Sequence, residues 1–162
     1  MADIMELSAL ELLNLHADVL EELRTREIIR SSNNPVGDYT EHLCCQAFGW
    51  QQADNSEKDA DAVGGDGMRY QIKGRRMTRH NGSRQLGALR RLPERNFDYL
   101  AGVLFNEDFT ILRAALIPHA SVLENAKYVE ATNSWRFLLR DEVWNWPGVE
   151  DVSTKLQAAA NR

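Results

Sequence analysis

Two apolar runs separated by three polar residues, "FDYLAGVLF" (97–105) and "FTILRAALI" (109–117), constrain the fold most. Each is short, rich in aliphatic and aromatic residues, and bounded by turn formers, which is the pattern of a buried strand. "NED" between them is a turn, and Pro118 ends the second strand. A sheet containing such strands needs cover on its faces, and the rest of the chain offers helices for it. Residues 8–24, "SALELLNLHADVLEELR", carry Ala9, Leu12, Leu13, His16, Leu20 and Leu23 as one helical stripe. Ser8 and Glu11 have the capping-box spacing. His16 on that stripe is expected to be a partly buried core histidine. "RSSNNPVGD" follows as a loop. A second helix is expected over Tyr39–Phe48, with Asp38 as its cap and Gly49 as its stop.

Further along, "SRQLGALRRL" (83–92) has the spacing of a short helix weakened by Gly87. A short helix is expected at Ala120–Asn125. "SWRFLLR" alternates as a strand with Trp135, Phe137 and Leu139 on one face. "VSTKLQAAA" closes the chain as a helix. The sum is an α+β fold: a mixed central sheet flanked by helices, with an extra N-terminal helix. At 162 residues and 43% hydrophobic content, one domain with one ordinary core is the expectation. Within it, 1–30 forms the N-terminal helix and 118–162 the C-terminal elements.

Several classes are disfavoured. No apolar run approaches the ~20 residues of a membrane span, and "MADIMELSALELL" lacks the basic start and apolar stretch of a signal peptide. A soluble, cytoplasmic protein is expected. The two cysteines, Cys44 and Cys45, are neighbours and read as small buried hydrophobes rather than a disulfide. The four histidines are scattered without zinc-ligand spacing.

"DAVGGDGMRYQIKGRR" (61–76) carries the chemistry. With Gly65-Asp66-Gly67 as a three-residue loop and Gly67 left-handed, Ala62 pairs with Tyr70 and Asp61 with Gln71. Gln71 and Lys73 then share a face with Asp61, while Ala62, Tyr70 and Ile72 feed the core. A two-residue turn at Asp66-Gly67 would instead put Asp61 opposite Ile72. Asp59 would face Lys73 in the first register, as a competing metal ligand or a surface ion pair. Asp66 is better explained as a turn residue. A carboxylate with an amide or main-chain oxygen can hold Mg²⁺, and a nearby lysine can act on water and stabilise a phosphate transition state. The bland alternative is a hairpin with a solvated polar face. Glu41 lies on or beside the apolar side of the second helix, where a buried carboxylate needs a partner. With Asp38 as N-cap, Glu41 would sit at N3, where helix capping alone would explain it.

Glu41 in a helix, Asp61 on the first hairpin strand and Gln71-Ile72-Lys73 on the second resemble the PD-(D/E)xK, restriction-endonuclease-like nuclease superfamily. The resemblance covers 38–117. It implies that Asp61 is the main metal ligand, that Glu41, Gln71 and the Ile72 carbonyl assist, and that Lys73 is the catalytic lysine. The cofactor implied is Mg²⁺ or Mn²⁺, and the activity is hydrolysis of phosphodiester bonds in DNA, of the restriction or defence kind. Two positions depart from the pattern: Ala60 stands where a proline is usual, and Gln71 replaces the usual acid. The missing charge should weaken metal binding.

Residues 73–95 hold Lys73, Arg75, Arg76, Arg79, Arg84, Arg90, Arg91 and Arg95 against Glu94, on a chain of net charge −5. These cations, running away from Lys73, are candidate contacts to the phosphates of double-stranded DNA. The alternative is an arginine face pairing with the acidic remainder. Two cuts are needed for a duplex, so a homodimer is a hypothesis of the nuclease reading. Two other readings stand beside it: a catalytically silent nucleic-acid binder of the same fold, and an interaction protein whose N-terminal stripe serves dimerisation.

Overall fold

A computed structural model describes residues 3–54 and 60–161. The order of elements is α1 (Ala9–Thr25), α2 (Pro35–Phe48), β1 (Gln51–Gln52), β2 (Ala62–Val63), β3 (Arg69–Arg76), β4 (Tyr99–Phe105), β5 (Ile111–Pro118), α3 (His119–Asn125), β6 (Lys127–Val129), β7 (Ser134–Arg136), β8 (Glu150–Asp151) and α4 (Ser153–Ala160). Six strands form one sheet in the order β1-β2-β3-β4-β5-β8. Only β3 and β4 run parallel, and every other neighbour pair is antiparallel. The fold is therefore α+β, with a mixed central sheet flanked by helices.

The two apolar runs become β4 and β5, and their buried residues divide between two cores. On one face, Ala101, Val103, Phe105 and Leu116 meet Leu43 and Cys44 of α2 and Leu156 of α4. On the other, Leu100, Leu104 and Ile117 meet Val122 of α3, Leu86, Leu89 and Phe137. Each such side chain contributes about 1.5–3 kcal/mol when fully buried. Cys44 lies in the first core and Cys45 at its edge, both as free thiols.

Three local expectations are corrected. Residues 84–91 form no helix, and Arg91 is left-handed at φ 52°. The backbone of this segment bonds to a distant strand, with the Leu86 N–H on Phe137 O and Leu89 exchanging two bonds with Trp135. Of the expected strand 134–140, only Ser134–Arg136 pairs as β7, with β6, in a separate two-stranded ribbon. Phe137 and Leu139 are nevertheless buried, on the side expected. The second helix starts four residues early: Asn34 caps it by accepting from the Val36 N–H, and Pro35 occupies the first turn, where its missing N–H costs nothing. Asp38 is thus inside the helix, and its Oδ2 accepts the N–H groups of Arg30 and Ser31 instead. Gly49 ends the helix in the left-handed conformation, as expected.

The first helix forms with the anticipated capping box, both Ser8–Glu11 bonds being made. Its stripe, however, buries nothing: no residue of α1 is buried, and His16 is exposed rather than part of a core. Leu20 and Leu23 instead line an open apolar groove with Ile28, Ile29, Tyr39 and Phe109. Among the described residues, no helix is long and apolar enough to cross a membrane.

Candidate active site

The hairpin takes the three-residue loop. Ala62 pairs with Tyr70 and Val63 with Arg69, the Gly64 N–H reaches Met68 O, and Gly67 is left-handed at φ 83°. Asp66 accepts from the Met68 N–H and is a turn residue. Ala62, Tyr70 and Ile72 are buried, while Gln71 and Lys73 on the alternate face are half-buried. Asp59 lies outside the described residues.

This register brings the acid onto the second strand. Asp61 Oδ2 accepts the Ile72 N–H at 2.7 Å and the Gln71 side-chain amide at 2.9 Å. Burial raises the Asp61 carboxyl above its ordinary value, opposed by the Ile72 N–H and by the positive charges of Lys73 and Arg30. Lys73 is therefore within electrostatic reach of Asp61. It crosses over Gly87: a Cβ at that position would lie 3.5–3.9 Å from the outer atoms of the lysine.

Because α2 begins at Pro35, Glu41 is two turns into the helix, and capping does not explain it. Its Oε2 accepts from the Arg30 guanidinium at 3.1 Å and the Gln52 amide at 2.9 Å. Burial, then the charge of Asp61, raise its pKa, while Gln52 and Arg30 lower it. Two carboxylates from different elements thus share one field, both shifted toward the protonated form, a pattern concentrated at functional sites. Arg30 is further held by Ala53 O at 3.2 Å. Neither Arg30 nor Gln52 carries a local signal in the sequence: "IIRSS" and "GWQQAD" read as ordinary loop edges.

The oxygens left without a hydrogen bond to another described residue are Asp61 Oδ1, Glu41 Oε1 and Gln71 Oε1. Two carboxylates, a neutral amide oxygen and the nearby Ile72 carbonyl form a hard-oxygen donor set compatible with Mg²⁺ or Mn²⁺. Among the described residues no cluster of three or more His, Cys, Asp or Glu side chains occurs.

The basic run divides into two kinds of arginine. Arg84 pairs with Asp141 at 2.6 Å and Arg91 with Glu94 at 3.3 Å, as the arginine-face alternative anticipates. Arg75 and Arg76 end β3, where Nε of each donates to a main-chain carbonyl, Ser83 O and Glu107 O respectively. Arg79 donates to His80 Nε2, and both Arg79 and Arg90 are exposed. Trp50 is sandwiched between Phe48 and Tyr70, with ring centroids 4.5 and 3.6 Å away, and serves packing. The sequence matches no protein-family model, and no curated protein is detectably similar to it.

Proposed function

We propose that the chain is a PD-(D/E)xK-type, restriction-endonuclease-like protein that hydrolyses phosphodiester bonds of duplex DNA with Mg²⁺ or Mn²⁺. The observation that carries this reading is the convergence of Asp61, Gln71 and Lys73 on one end of the β2–β3 hairpin, with Glu41 in the same electrostatic field. Asp61 and Glu41, assisted by the Gln71 amide oxygen and the Ile72 carbonyl, would hold the cation. When bound, it supplies charge neutralisation at the phosphate and acidifies a water. Lys73 orients the attacking water and donates to the phosphate as negative charge develops there. The Ile72 N–H and the Gln71 amide fix the Asp61 carboxylate before substrate arrives. Arg75, Arg76, Arg79 and Arg90 are the backbone contacts, Arg84 and Arg91 contributing less because each already faces a carboxylate.

The test is nicking of supercoiled plasmid in Mg²⁺ and in Mn²⁺. Asp61→Ala and Lys73→Ala are each expected to lower the rate at least ~10²-fold. Undiminished metal-dependent nicking by both variants sinks the proposal.

A second reading has its own support. Glu41 already carries Arg30, and Asp61 already carries Gln71, so each acid has a protein partner. That favours a silent nucleic-acid binder. Salt-sensitive duplex binding with no cleavage in either cation selects it. Gln71→Glu restores the missing acid; under the nuclease reading it tightens Mn²⁺ binding, measured by calorimetry.

A further inference from the structure

A cleft of about 390 Å³ lies between the first turn of α2 and the C-terminal end of β3, bordered by Asn34, Gly37, Arg75, Arg76, Thr78 and Asn81. The two arginines are held in an unusual way. Nε of Arg75 is spent on Ser83 O at 3.1 Å, and Nε of Arg76 on Glu107 O at 2.7 Å. Arg76 also lies over the Phe109 ring, 4.6 Å from its centroid. Among the described residues, no terminal guanidinium nitrogen of either makes a hydrogen bond, and neither pairs with a carboxylate. Elsewhere the contrast is plain: Arg69 faces Asp98, Arg84 and Arg113 face Asp141. Two forks are thus fixed at Nε with their outer nitrogens free, the part of arginine that grips a phosphate bidentately. Being held in advance, they lose little side-chain freedom on binding.

The rest of the cleft supplies donors. Asn81 uses its side-chain oxygen on the Ser83 N–H, leaving its NH₂ as donor. Thr78 Oγ1 accepts from the Asn81 N–H and keeps its own O–H to give. Arg75 is two residues beyond Lys73 and shares its strand face, about 7 Å along at ~3.3 Å per residue, while Arg76 takes the other face, the one that meets Thr40 of α2 at Gly74.

We infer that this cleft is a second phosphate site, which seats a backbone phosphate of the nucleic acid near the bond presented to Asp61 and Lys73. The site fixes where the strand lies over the carboxylates. It deepens the proposed function and rests on its nucleic-acid part.

The experiment is binding of a short labelled duplex by anisotropy, in EDTA, across a salt series. Arg75→Gln with Arg76→Gln is expected to weaken binding about 10-fold per arginine, and to flatten the slope of log K against log salt by about 0.9 for each phosphate no longer neutralised. Gly37→Asp puts a carboxylate at the mouth of the cleft. A Cβ there meets nothing within 4 Å, so a side chain has room. It should weaken binding, whereas Gly37→Ala should not. Arg140→Gln serves as the control for an exposed arginine outside the basic run. The inference is overturned if Gly37→Asp binds like Gly37→Ala and the double variant binds like Arg140→Gln. A protein that nicks DNA while its cleft variants bind normally loses this site and keeps the nuclease reading. One that binds through the cleft but nicks in neither cation keeps the site and loses that reading. Absence of duplex binding at low salt overturns both.

Discussion

The two ends of β3 hold charge in opposite ways. At its start, Asp61 and Glu41 are acids taken out of water, each met by protein donors yet still pushed toward the protonated form by burial. At its end, Arg75 and Arg76 are cations fixed by neutral carbonyls, with no salt bridge to a carboxylate among the described residues. A cation gains most at the first end and an anion at the second. Between them lie Lys73 and Gly74. Under the proposed function one strand would serve the metal at one end and the phosphodiester at the other, and substitutions that act on one end, the other, or both should separate cleanly.

The largest effect is expected at Gly74, where both ends are joined to α2. A side chain there would overlap the Thr40 hydroxyl, which is bonded to Val36 O, and would come within 3.2 Å of the Phe105 ring. Gly74→Val should force α2 off the sheet and cost about 3 kcal/mol, read from the urea midpoint. Duplex binding and nicking should then fall together. Stability equal to wild type would show that α2 does not seat on β3 at this point.

A smaller effect is expected at the acidic end alone. Arg30→Gln leaves Glu41 with Gln52 as its one remaining side-chain partner. Arg30 and Glu41 keep 31% and 18% of their side-chain surface exposed, so the loss should be about 1–2 kcal/mol, below that of a fully buried pair. Glu41 without its counter-ion titrates higher. The deficit should therefore be full at neutral pH and shrink as pH falls and Glu41 is protonated. A deficit independent of pH would mean that Arg30 acts by packing rather than by charge.

What was legible in the sequence was local. The hairpin admitted two loops, and the structure has the three-residue one; once the loop is known, a period of two assigns every side chain a face. The opposite outcome at 84–90 has a physical cause: Leu86, Leu89 and Leu92 recur every three residues and mimic a helical stripe, while the backbone partners of Leu86 and Leu89 are Phe137 and Trp135, some fifty residues away. The start of α2 was obscured because Asn-Pro-Val-Gly reads as a loop, although Asn before Pro is also a helix start. That displacement mattered, since it removed the capping explanation of Glu41. Arg30 and Gln52 reach Glu41 only through the tertiary fold, and local patterns do not encode such contacts.

The smallest effect tests the acidic end by stability rather than activity. Asp61→Asn keeps a side-chain oxygen for the Ile72 N–H but removes the desolvated charge. An acid whose pKa is raised on folding binds its proton more tightly in the native state. Its contribution is therefore most favourable below the ordinary aspartate value and is lost as pH rises through the window up to the raised value. Asp38, Asp98, Asp141 and Asp151 are lowered instead and act in the opposite sense. The readout must be the difference between variant and wild type, in which those terms cancel. Asp61→Asn should gain on wild type as pH rises through that window and then hold a constant advantage of about 1 kcal/mol at neutral pH. Adding Mn²⁺ should erase the advantage by stabilising wild type alone, as mass action requires of a ligand that binds only the native site. Equal stabilisation of both proteins by Mn²⁺ would place the cation away from Asp61. A variant less stable than wild type at neutral pH would show that the Asp61 charge is compensated in the folded state, and that this end of β3 needs no cation.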